Sequence, residues 1–112
     1  QIMMGCRKED YDAVLQDVRH AKIAAWWDRA VDIIPADGGK GNAIERILER
    51  YGLSREDAIA FGDGDNDIEM MEAVSVGVAM ANASKRLKAV ADMCCPSVRE
   101  DGISRFCEEH LF

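Results

Sequence analysis

What this chain lacks narrows its chemistry first. Bases are scarce: Lys and Arg number 14 against 21 Asp and Glu, for a formal charge of −7. Nucleic acids and anionic membrane surfaces are both held by clustered Lys and Arg, so neither is an expected partner. No apolar run approaches the roughly 20 residues that a transmembrane helix needs. Gln1-Ile2-Met3-Met4-Gly5 offers neither a basic region nor a long apolar stretch, so no signal peptide is expected there. The four cysteines, Cys6, Cys94, Cys95 and Cys107, contain no CxxC pair. His110 follows Cys107 at a ligand-like spacing without a second pair, so free thiols in a reducing cytoplasm are expected instead. An exposed Cys107 would be open to oxidation. Repeats, low-complexity tracts and long linkers are missing as well.

What remains is the composition of a soluble globular protein, 48% apolar and 31% charged, over 112 residues. That length suits one domain with a modest core. Tyr11, Val14, Leu15 and Val18 share one helix face. Two short apolar runs, Ile23 to Trp27 and Val31 to Ile34, read as strands turning at Asp28-Arg29. Trp26 and Trp27 are expected to be partly buried in a small core, with a binding face as the alternative. Pro35 closes the second run, since it cannot donate to a ladder.

From Lys40 the pattern is regular: helix, strand, helix, strand, helix, strand, helix. Ile44, Ile47, Leu48 and Tyr51 form an apolar face, and Gly52 caps the helix. Ala58 to Phe61 and Val76 to Met80 are continuously apolar, as strands buried on both faces of a parallel sheet are. Asn82-Ala83-Ser84 offers an N-cap for a helix lined by Leu87, Val90 and Ala91. Met93 to Cys95 reads as a short strand, and Ile103, Phe106, Cys107 and Leu111 as the face of a last helix. Such alternation predicts an α/β fold with a parallel sheet flanked by helices. Ligands in these sheets bind beyond the carboxyl ends of the strands.

One such end carries Gly62-Asp63-Gly64-Asp65-Asn66-Asp67. Three carboxylates crowd here, and no Lys or Arg occurs from Gly62 to Ser84. Like charges so close call for a cation or for full hydration. A hard divalent ion such as Mg²⁺, which takes one or two carboxylates with phosphate and water, fits the first option. A solvated acidic turn fits the second. A calcium EF-hand loop fails, because its sixth position needs Gly and holds Ile68, and its twelfth needs Glu and holds Val74.

Asp37-Gly38-Gly39-Lys40-Gly41 opens the helix before that strand. Glycines admit a close ligand, a helix N-terminus favours an anion, and a lysine supplies a mobile positive charge. The spacing is not that of a P-loop. An exposed loop lysine is the plain alternative. Lys40 and Asp63 are 23 residues apart, room for one helix and one strand. A helix start and the next strand's end share the carboxyl edge of a parallel sheet. A phosphate-binding cation and a metal-binding anion then face one crevice, as phosphoryl transfer requires.

These residues resemble the haloacid dehalogenase superfamily, in its Cof-type, sugar-phosphatase-like branch. The resemblance rests on Gly39-Lys40-Gly41, on Ile59 through Met71, on Val76 through Ala83, and on Asp101-Gly102-Ile103. It implies a partial Rossmann-like core at residues 35–112, preceded at 1–34 by the end of an α+β cap module. It implies a Mg²⁺-dependent phosphatase of small phosphorylated metabolites that acts through an aspartyl-phosphate. Lys40 matches the lysine that steadies the phosphate and the phosphorylated nucleophile. Asp63 matches the Mg²⁺ ligand. Asp67 matches the second acid, supporting the metal or orienting Lys40. Asn66 matches the polar residue beside the substrate phosphate. Asp65 falls at a variable position, and Asn82 near the rim or as a helix cap.

The family's N-terminal DxDGT-like nucleophile motif and its phosphate-binding Thr or Ser have no match here. Without a nucleophile the phosphoenzyme cannot form. With the start at Gln1, the expectation is the C-terminal part of a longer hydrolase, inactive alone. A non-catalytic metal-binding or interaction module is the alternative. Incomplete sheets leave an edge open to self-association.

Overall fold

The computed structural model describes all 112 residues, Gln1–Phe112. Two three-stranded sheets organise them. Strands β1 (Ile2–Gly5), β2 (Ala21–Trp27) and β3 (Ala30–Pro35) form the first, in the order β1-β3-β2 with both pairings antiparallel. The β2–β3 hairpin turns at Asp28-Arg29, as the sequence predicts, with a register shift between Ala25 and Trp27.

The second sheet holds β4 (Ile59–Gly62), β5 (Val76–Met80) and β6 (Met93–Cys95), parallel and in chain order. Helices α2 (Lys40–Tyr51), α3 (Ile68–Ala73), α4 (Lys85–Val90) and α5 (Gly102–His110) alternate with these strands. This is the expected α/β arrangement. Ten buried residues form its core, among them Val78, Ala79, Leu87, Cys95 and Phe106. Phe61 meets Phe106 edge to face, with ring centroids 5.4 Å apart. No helix is long and apolar enough to cross a membrane.

Local chemistry accounts for the element ends. Gly52 takes a left-handed conformation (φ 66°) and its N–H closes α2. The Ser84 hydroxyl accepts the Leu87 N–H at 3.1 Å, capping α4. Several expectations need correction. The first helix, α1, runs only over Tyr11–Leu15, because Asp17 turns left-handed (φ 63°) and leaves Val18 exposed. Trp26 and Trp27 stay 43% and 64% exposed rather than sinking into a core. On α2 and α5, Leu48 and Phe106 are buried, whereas Ile47, Tyr51 and Ile103 are exposed. Val90 of α4 and Leu111, just past α5, are exposed too. Strand β1 has no counterpart in the sequence reading. Its four residues become a strand by pairing with β3.

Candidate active site

Strand β4 ends at Gly62, and the chain turns through Asp63 and Gly64 into a single 3₁₀ turn, Asp65–Asp67, that leads to α3. A side chain at position 62 has no room here, because a Cβ would lie 2.7 Å from the Asp67 Cβ. The bare backbone lets Asp67 fold back over the strand end. Asp67 is 4% exposed, the one buried charged residue. Its Oδ2 accepts the backbone N–H groups of Asp63 and Gly64, each at 3.0 Å. Its Oδ1 accepts the Lys40 Nζ. Three donors thus take both oxygens.

Burial pushes the Asp67 carboxyl upward. Hydrogen bonds from Lys40, Gly64 and Asp63, with the Lys40 charge, outweigh that and hold it below the ordinary Asp value. Lys40 opens α2 from Gly39, whose φ of 128° suits glycine alone. The Lys40 side chain stays 49% exposed, so its ammonium is anchored to Asp67 and still reaches solvent.

The other acids of the turn divide sharply. Asp65 is tied down: its Oδ1 accepts the Ser84 hydroxyl at 2.5 Å and its Oδ2 accepts Arg86 Nη1 at 2.9 Å. Asp63 is exposed, and its carboxylate has one long contact, from Asn82 Nδ2 at 3.4 Å. Its carbonyl accepts the Ser84 N–H at 2.9 Å, which clamps the turn to the loop after β5. Asn66 lines the crevice beside Lys40. The structure therefore brings Lys40, Asp63, Asn66 and Asp67 to one edge, with Asn82 at the rim of Asp63.

Two crevices, of about 520 and 400 Å³, open over this edge and meet at Lys40, Asn66 and Asp32. The first sheet forms their far wall. Lys22 of β2 bridges to Glu69 of α3 at 2.7 Å. The sequence reading missed Asp32 and this Lys22–Glu69 link. For Asp32 a signal existed: a carboxylate within the apolar run Val31 to Ile34. For Lys22 and Glu69 there was none, since 47 residues separate them.

The donor chemistry fits a hard cation. Asp63 does not stand among three or more potential metal-ligating side chains. Mg²⁺, however, fills most of its shell with water and phosphate oxygens and needs only one or two carboxylates. Asp63 supplies one such carboxylate with little competition from protein donors, whereas both Asp67 oxygens are engaged. His110 and Cys107, spaced like ligands, lie on α5, where the His110 ring packs on Phe106 at 4.3 Å.

Comparison with known proteins gives consistent matches. The family model of haloacid dehalogenase-like hydrolases matches residues 1–107. The 5-amino-6-(5-phospho-D-ribitylamino)uracil phosphatase YitU of Bacillus subtilis is 36% identical over 118 aligned positions, covering 98% of this chain and 43% of that protein. The pyridoxal phosphate phosphatase YbhA of Escherichia coli is 40% identical over 85 positions, covering 76% and 31%. Among solved structures, the HAD subclass IIB sugar phosphatase BT4131 superposes with a TM-score of 0.85 at 31% identity, over 96% of this chain and 41% of that one. The chain thus spans less than half the length of each.

Proposed function

The chain belongs to the haloacid dehalogenase-like hydrolases, and from that premise we propose that it carries the lysine and metal-binding side of a Mg²⁺-dependent phosphomonoester hydrolase. The observation that carries this reading is the division of labour at the turn. Asp67 anchors Lys40 and both N–H groups of the turn, while the neighbouring Asp63 carboxylate stays exposed. A cation and an anion side by side at a strand's carboxyl end suit a phosphate and its metal.

In this reading Lys40 donates to a phosphate oxygen and offsets the charge that grows there during transfer. Asp67 orients Lys40 rather than binding the ion. Asn66 donates to the phosphate from the crevice wall. Asp63 would hold Mg²⁺, which when bound polarises the phosphate. Asp65, pinned by Ser84 and Arg86, braces the turn. The proposed intermediate is an aspartyl-phosphate, and its nucleophile is not among these residues. They contain no Asp-x-Asp-Gly-Thr motif, and indeed no threonine at all. Residues 1–34 serve as the end of a cap module and 35–112 as part of the core. The substrate is a small phosphorylated metabolite. Four free thiols suit a reducing, cytoplasmic setting. Strands β4 and β6 are sheet edges, where β-pairing with another segment or a second copy is open.

The test is hydrolysis of p-nitrophenyl phosphate, with and without Mg²⁺, by the complete protein that carries these residues and by the 112 residues alone. Mg²⁺-dependent turnover by the first and none by the second is expected. Turnover by the 112 residues alone contradicts the missing-nucleophile account, and a complete protein inactive on every phosphate ester contradicts the phosphatase reading.

A further inference from the structure

Asp32 sits in the middle of β3, the central strand of the first sheet, facing Met3 of β1 and Ala24 of β2 across the pairings. Its Oδ1 is buried and has no hydrogen-bond partner, the one buried side-chain oxygen or nitrogen in the molecule so placed. Buried polar atoms are almost always paired, because an unpaired one forfeits its water without recompense. The fold itself thus leaves hydrogen-bonding capacity of this carboxylate unused.

The surroundings indicate what donor would use it. Asp32 lines both crevices above the turn, with Lys40 and Asn66 on the opposite wall. Its neighbours from the first sheet are mostly apolar, Ala24 and Ile34 in one crevice and Met3 and Trp26 in the other, with Gln1 and Tyr11 also lining the first. A lone carboxylate in a mainly apolar wall, in one crevice with the lysine proposed to bind phosphate, is suited to the far part of a phosphate ester. The apolar surface excludes water and accepts the carbon skeleton. The carboxylate accepts one hydrogen bond from it.

We propose that Asp32 is a specificity-determining residue: its carboxylate accepts a hydroxyl or ammonium hydrogen from the leaving group of an ester whose phosphate lies at Lys40. This rests on the phosphatase reading above and adds the chemistry of the leaving group. A site built to accept a hydrogen bond discriminates strongly against analogues without the donor, because the acceptor is then left buried and unpaired.

Three esters of similar length test it in the complete protein: sorbitol 6-phosphate, 6-aminohexyl phosphate and donor-free n-hexyl phosphate. The readout is the ratio of kcat/KM for each donor-bearing ester to that for hexyl phosphate. The wild type is expected to favour at least one donor-bearing ester. Asp32→Ala is expected to cut that ratio by roughly 10- to 100-fold, the range for losing a hydrogen bond to a charged group. Asp32→Asn keeps the shape of the side chain and guards against misfolding as the explanation. It retains the preference if the donor is a hydroxyl, and loses it as Ala does if the donor is an ammonium. Unchanged ratios in both variants, or equal losses on all three esters, overturn the assignment while leaving the phosphatase reading intact. Turnover of p-nitrophenyl phosphate with none of these three esters overturns the role of Asp32 alone, whereas inactivity on p-nitrophenyl phosphate as well overturns the phosphatase reading, and the role of Asp32 with it.

Discussion

The two sheets of this molecule are built on different physical terms. The parallel sheet is covered by helices and owns a contiguous core: all ten clustered buried residues lie between Ala60 and Phe106. The antiparallel sheet has Cys6 and Val31 as its buried apolar residues and presents Trp26, Trp27, Ile2 and Met3 to solvent. One region thus holds its shape by burial. The other holds its shape by strand pairing and by contact with its neighbour, including the Lys22–Glu69 bridge. The proposed site residues Lys40, Asp63, Asn66 and Asp67 stand on the well-packed side, and Asp32 with its mainly apolar neighbours on the thinly packed one.

Substitutions separate these roles. The largest effect belongs to Lys40→Ala, in the complete protein. Loss of a charge aimed at the reacting group costs roughly 10²- to 10³-fold in kcat. Lys40→Ala also strips the buried Asp67 carboxylate of its charged partner, so thermal unfolding of the same sample is measured alongside, and the loss of kcat is expected to persist where the protein is still folded. Core truncations come next. Leu87 is fully buried in the parallel sheet's core, and Leu87→Ala is expected to cost about 2–5 kcal/mol by denaturant unfolding. Val31→Ala in the antiparallel sheet removes less surface, about 1.5 kcal/mol at about 0.8 kcal/mol per buried methylene. Val78→Ala, equally buried in the parallel sheet, is the matched change, and a cost at Val31 as large as at Val78 would erase the contrast between the two regions.

Acid sharpens the comparison further. The Asp67 carboxyl is held below its ordinary value of 3.8 by Lys40 and two backbone donors despite its burial. A depressed carboxyl stabilises the fold fully above the unfolded-state value and loses that contribution as pH falls through the folded-state one. Stability should therefore fall as the solution is acidified below about pH 4, the ordinary Asp range. Asp67→Asn should flatten that part of the profile, at a neutral-pH cost of about 1–3 kcal/mol for its orphaned partners. An unaltered acid limb would show that Asp67 is not the group responsible. The smallest effect is Lys22→Ala. A partly exposed ion pair contributes about 0–1 kcal/mol. Its loss should show mainly as faster amide exchange in β2 and β3, with β4 and β5 unchanged.

The same contrast explains what the sequence made legible. Ala58 to Phe61 and Val76 to Met80 are continuous apolar runs, and strands buried on both faces announce themselves in that way. Gly52 and the stretch Asn82-Ala83-Ser84 marked helix ends through local chemistry, which needs no knowledge of the fold; the structure makes Ser84 the cap. Lys40, Asp63, Asn66 and Asp67 could be grouped because parallel topology fixes where a helix start and a strand end meet. The failures share a cause. Ile2 to Gly5 is a strand only because β3 lies beside it. Ile47, Tyr51 and Ile103 keep helical spacing, but the fold leaves them 45–75% exposed. The opposite fates of Asp63 and Asp65, exposed and pinned, depend on Ser84 and Arg86, roughly twenty residues further along. A spacing argument treats the carboxylates of the turn alike, and only the fold distinguishes them.

The division between Asp67 as anchor and Asp63 as metal ligand is the centre of the account. Its most direct measurement is the Mg²⁺ concentration dependence of phosphate-ester hydrolysis by the complete protein and by its Asp63→Asn variant. The variant is expected to need far more Mg²⁺ for half-maximal activity, or to lose activity altogether, while its thermal unfolding matches the wild type. An Asp63→Asn protein with wild-type turnover and an unshifted Mg²⁺ dependence would contradict it.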